Sequence, residues 1–182
     1  GIVLRGEGSD RSRTLILATS HTKYNVIVVS GEGTPEEVKG TRTDITDAFV
    51  PTGTFCINVA STSSFKPGDK IIVYRPGTDE WIHDLMMDRI SERPGTKQWK
   101  ANQYNLGYER QIEKIEGNTI YLDNPVVMQM ETKYGGGQVY RYEFPGRISE
   151  VGIEDICFES VFEHFQDSNH GWLAISLDKA EN

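Results

Sequence analysis

A chain of 182 residues, 37% of them hydrophobic, holds enough apolar material for one substantial core or two small ones, and no apolar run approaches the roughly 20 residues that a membrane-spanning helix requires. The net charge of −8 comes without a basic patch to offset phosphate repulsion, which excludes nucleic acid from the expected partners. The 18 glycines and frequent Val, Ile, Thr and Tyr favour strands and turns over helices.

Residues 1–30 hold three aliphatic runs, at 2–4, 15–17 and 26–29, separated by polar turns at 6–13 and 19–23. Short strands in this rhythm suit parts of one or two coils, and a coil cannot bury its inner face without stacked neighbours. Residues 31–53 open with a turn cluster around Gly31, Gly33 and Pro35 and then lose any period, which predicts an extended connector. From 54 to 146 the pattern changes to a distinct all-β unit with strands predicted at 54–59, 70–75, 110–115, 119–122 and 138–142. A tight turn through Pro67, Gly68 and Asp69 leads into the second strand, and Gly117 with Asn118 predicts a hairpin. Five short strands with such turns fit a small barrel or sandwich. The long link 77–108 contains one candidate helix, 79–89, with Trp81, Ile82, Leu85 and Met86 on one face. Residues 147–182 return to the coil rhythm through Ile153, Ile156 and Phe158. The adjacent acids Glu154 and Asp155 predict a strand that bends and resumes. After Val161, Phe162 and Phe165 and a polar turn at 166–170, a last strand runs over 172–177. The end at 178–182 reads as mid-coil, so the chain is expected to be part of a longer one.

The runs 1–8 and 147–160 resemble successive coils of a right-handed parallel β-helix of the pectate-lyase-like superfamily. The middle of the chain resembles small β-barrel inserts of some pectate-lyase-like and tail-spike proteins, on Phe65, Gly68, Asp69, Ile71 and Val73, followed by Ile112, Ile115, Gly117, Asn118, Ile120, Leu122, Asp123 and Pro125. That ordered match covers about half the chain. The resemblance implies an all-β fold in which parallel β-helix coils are interrupted by a small antiparallel β-barrel or sandwich insertion: coils and connector at 1–53, insertion at 54–146, resumed coils at 147–182. It implies a secreted or cell-envelope protein that acts on or recognises polysaccharide, as a lyase or glycosidase; the alternative is a non-catalytic carbohydrate-binding, adhesive or structural segment. It also implies calcium as the candidate ion, held by acidic side chains such as Glu154 and Asp155, with Glu159 or Asp178 completing the set. Adjacent carboxylates on a strand point to opposite faces, however. The catalytic arginine of pectate lyases has no matching motif.

The chemically richest stretch is Asp167, His170 and Trp172, with His164 close by. A carboxylate near an imidazole can orient it for acid/base work; the plainer reading is a solvated turn with Trp172 inside the coil. Trp99, in a polar context, is the other candidate for stacking on a sugar ring, whereas Trp81 suits a core. A glycan contact is therefore expected where Asp167, His170 and Trp172 meet Trp99. Asp79 and Glu80 read as helix-start acids or as part of a sugar site. His21 and His83 have no evident partner. Cys56 and Cys157 sit in apolar segments, which predicts buried thiols, with a disulfide as the alternative. The glycine runs lack the strand–glycine–helix context of a phosphate cradle, and no serine-hydrolase elbow or zinc-protease helix is present. Two separate cores are expected, one from Phe55, Ile57, Ile71, Val73, Ile112, Ile115, Ile120 and Leu122, the other from Ile153, Ile156, Phe158, Ile175 and Leu177.

Overall fold

A computed structural model describes residues 1–181; of the predicted mid-coil end, Asn182 lies outside the described residues. In chain order the strands are β1 (Ile2–Arg5), β2 (Leu15–Ala18), β3 (Tyr24–Ser30), β4 (Glu36–Glu37), β5 (Thr43–Asp44), β6 (Phe49–Val50), β7 (Cys56–Asn58) and β8 (Lys70–Arg75). After helix α1 (Asp79–Asp84) come β9 (Leu106–Glu116), β10 (Thr119–Leu122), β11 (Met130–Glu131), a 3-10 turn (Thr132–Tyr134), β12 (Gln138–Glu143), β13 (Val151–Glu154), β14 (Cys157–Ser160) and β15 (Gly171–Asp178). The described chain is thus nearly all-β. It forms two units, residues 1–35 with 144–181 and, between them in sequence, Glu36–Glu143.

The middle unit is built on one antiparallel sheet in the order β4-β12-β8-β9-β10-β7, with β5 also paired to β12. Its hairpin β9–β10 turns through two residues. Gly117 takes the positive φ of 59° that a tight hairpin turn needs at its first central position, so Thr119 faces Glu116 across the ladder. The named ladders form an open path of strands, where a small barrel or sandwich was expected. An isolated bridge between Ile45 and Val59, flanked by bonds from Thr46 N to Asn58 O (2.8 Å) and Ala60 N to Asp44 O (2.9 Å), links the segments after β5 and β7. Inward residues alternate along the strands, so Ile57, Ile71, Val73, Ile112, Ile120, Leu122 and Val139 converge with Val50, Val126 and Met130 into one core. Phe55, expected among them, is 53% exposed because the chain bends there before β7 begins; Ile115 packs against the core only in part.

Residues 36–53, read from the sequence as a connector, belong to this unit. Val38 N donates to Arg141 O at 2.9 Å, and Arg141 N donates to the Thr41 hydroxyl at 3.0 Å. The Arg42 guanidinium lies 4.0 Å from the Tyr140 ring and 5.2 Å from the Tyr74 ring, and bonds to Glu37 and Gln138. Helix α1 is shorter than the predicted 79–89. Thr78 caps it, its hydroxyl accepting from Trp81 N, and Met86 at φ 59° stops it. Only Ile82 of its expected apolar face is buried; Leu85 and Met86 are exposed past the helix end. Cys56 projects outward from β7, opposite to the inward Ile57, and Cys157 is half-buried. Both are free thiols, as the favoured reading has them, but neither is buried as expected.

In the other unit the strands pair in parallel and in matching order: β1 with β13 (Ile2 opposite Val151), β2 with β14 (Leu15 opposite Cys157), β3 with β15 (Ile27 opposite Ile175). Each ladder has two strands. The break at the two acids is explained by Asp155, whose φ of 54° ends β13 before β14 starts at Cys157. Gly31 follows β3 where backbones crowd; a Cβ there would stand 2.5 Å from both the Gly146 and the Lys179 carbonyl oxygens. The expected second core is not closed. Ala18 and Val29 are the buried apolar side chains of this unit, Ile153, Ile156 and Phe158 are half-buried, and Leu177 is 68% exposed. A two-stranded ladder covers each inner side chain from one side only.

Candidate functional site

In the ladder unit, the turn between β14 and β15 carries the polar candidates. Asp167 organises the turn itself. Its carboxylate accepts from Asn169 N at 2.8 Å and from Glu163 N at 3.1 Å, and these backbone donors hold its pKa below the ordinary Asp value. Both oxygens are therefore engaged with the backbone, and Asp167 does not act as the orienting partner of His170. That role falls to Ser160 and Gly171. His170 Nδ1 stands 3.1 Å from Ser160 Oγ and 2.9 Å from Gly171 O, while Gly171 N donates to Ser160 Oγ at 2.9 Å. With Nδ1 held, Nε2 is the ring atom left for a ligand.

His170 stands between two aromatic rings. Its centroid is 5.9 Å from that of Phe162 and 6.4 Å from that of Trp172, both tilted by about 50°. Trp172 is 55% exposed, so it does not fill a coil interior. The Lys23 ammonium sits 4.6 Å from its ring centroid, brought there because β3 and β15 are paired. Phe162 and Lys23 were not singled out in the sequence. Phe162 only continues the apolar run with Val161 and Phe165, and no local pattern marks a lysine that meets the Trp172 ring across a ladder.

Trp99 belongs to the middle unit, where it packs on its own loop. Its ring stacks on Tyr104 with centroids 3.8 Å apart and leans on Trp81 at 6.1 Å, while Arg75, buried beneath, lies 4.4 Å from the Trp81 ring. Burial lowers the Arg75 pKa from the usual guanidinium value. Trp99 is thus half-buried with one face covered, not the free platform the sequence suggested. On the exposed side of α1, an open hollow of about 480 Å³ is lined by Asp79, Glu80, His83, Asp84, Asp88 and Lys133. Here His83 has a partner after all, Asp88, at 2.8 Å. Lys133 and the Tyr134 hydroxyl both bond to Asp84, which lowers the Asp84 pKa and raises that of Lys133.

The calcium set implied by the resemblance does not fit the residues. Glu154 is paired with Arg5 at 2.7 Å and Glu159 with Arg11 at 2.8 Å, while Asp155 sits in the left-handed turn residue. Among the described residues no group of three or more His, Cys, Asp and Glu side chains is placed to hold a metal ion. Among them, too, no helix is long and apolar enough to cross a membrane.

No family model and no curated protein matches the chain. The solved structures it is similar to include three phage tailspikes. Gp54 of Acinetobacter baumannii bacteriophage AP22, solved in complex with A. baumannii capsular saccharide, matches at a TM-score of 0.40 and 12% identity over 93% of this chain. Gp61 of Pseudomonas phage phi297 and gp49 of Pseudomonas phage LKA1 each match at 0.38 and 18% identity, over 80% and 87% of this chain. The chain spans 27%, 21% and 23% of these three proteins.

Proposed function

We propose that this chain recognises polysaccharide as part of a secreted or cell-envelope parallel β-helix protein. In this reading residues 1–35 and 144–181 are two successive coils, and the middle unit is a barrel-like insertion. Three parallel ladders whose strands recur in the same order support the coil assignment, since each pair then joins equivalent positions of consecutive turns. The observation that carries the functional reading is the exposed Trp172, flanked by His170 and Phe162. A pyranose presents a flat C–H face ringed by hydroxyls, and a site for it needs flat apolar area beside hydrogen-bonding groups. An aromatic ridge with an imidazole between two rings supplies both.

Binding is favoured over catalysis because the carboxylate that would assist His170 is bonded into its own turn. The test is a titration with a panel of neutral and acidic glycans, alongside assays for new reducing ends and for the ultraviolet band of unsaturated uronates. Trp172→Ala is expected to weaken glycan binding by about 1 kcal/mol, or about fivefold, with an unchanged circular dichroism spectrum. Unaltered affinity in the folded variant removes the ridge as the site, and turnover in either assay replaces binding with a depolymerase activity.

A further inference from the structure

Resting on the recognition reading above, we infer that Lys23 makes the Trp172 ridge selective for sugar units that carry a carboxylate. The overall charge of −8 argues against acidic ligands at large, so any such selectivity has to be local. The geometry around Trp172 supplies it. The Lys23 ammonium is 4.6 Å from the ring centroid, at the start of β3, whose Tyr24 faces Gly171 of β15. Lys23 is exposed, and among the described residues it forms no ion pair with a carboxylate. The ammonium lies over the Trp172 ring, so a sugar that takes that face displaces it from the ring and leaves it beside the sugar's substituents.

The carboxylates around this patch are largely engaged elsewhere. Asp167, within electrostatic reach of His164 and His170, directs both oxygens to the backbone of its turn. Glu159 is paired with Arg11. Glu163, exposed on the same turn, opposes the effect and limits its size. A lysine on an aromatic face recognises a carboxylate by charge and a sugar by its neighbour ring, with no metal ion required. An exposed ion pair of this kind is worth about a two- to fivefold difference in affinity.

The test titrates the full chain with a hexuronate oligomer and with its carboxyl-reduced hexose counterpart, each with and without the chelator EDTA. The wild type is expected to bind the uronate about two- to fivefold tighter, with a preference that shrinks as salt rises and does not respond to EDTA. Lys23→Gln should bring the uronate-to-hexose affinity ratio towards one, and Lys23→Arg should keep it. Equal affinity of the wild type for the two oligomers overturns the inference while leaving recognition standing. So does a Lys23→Gln variant that retains the preference, or a preference that EDTA abolishes. Failure of the wild type to bind either oligomer, or any member of the neutral and acidic panel, removes the recognition reading and this inference with it.

Discussion

Asp167 shows how a residue chosen for its chemistry can be committed to architecture. Its two backbone bonds stabilise the ionised carboxylate and lower its folded pKa, with the Asn169 amide the larger cause. A depressed folded pKa means that the stabilisation is present in full above the ordinary Asp range. It is lost as the pH falls below that range, through the lowered value. Asp167→Ala is accordingly expected to lower the melting temperature at neutral pH and to converge on the wild type as the solution is acidified below the ordinary Asp range. A melting difference that stays constant with pH would show that the charge on Asp167 contributes nothing to the turn.

Among the strands, the same aliphatic chemistry has opposite consequences in the two units. Ile120 on β10 lies between β9 and β7 and is wholly buried, whereas Leu177 on β15 is 68% exposed. Ile120→Ala removes contacts on every side and is expected to cost about 2–5 kcal/mol. Leu177→Ala is expected to change stability by no more than about 0.5 kcal/mol. Urea unfolding followed by circular dichroism reads both; comparable losses in the two variants would mean that β15 is covered as completely as β10.

For the whole molecule, the distribution of buried side chains predicts unequal resistance to opening. The middle unit encloses a single core reaching from Ile45 to Val139, while the ladder unit has Ala18 and Val29 as its buried apolar residues and no ladder beyond two strands among the described residues. Local opening is easiest where few apolar contacts are lost. Native-state hydrogen exchange is therefore expected to leave the amides of β8, β9, β10 and β12 protected longest, with β1–β3 and β13–β15 exchanging first. Equal protection across the two sets contradicts this.

What the amino-acid sequence by itself determined was local. The Gly117–Asn118 hairpin, the Pro67–Asp69 turn into β8 and the inward alternation of Ile57, Ile71, Val73, Ile112, Ile120 and Leu122 follow from turn chemistry and a two-residue period, which near neighbours impose. The polar turn that leads through His170 to Trp172 was legible for the same reason, since it is visible in a few residues. Only the tertiary structure decided that 36–53 belongs to the middle unit, because Thr41 meets Arg141 at a separation of 100 residues and no period marks that stretch. It likewise decided that Lys23 and Phe162 join Trp172 and His170, and that Asp88 answers His83. The exposure of Leu177 and the covering of one face of Trp99 belong here too. Burial depends on what else folds against a side chain, and no residue carries that information in its own identity.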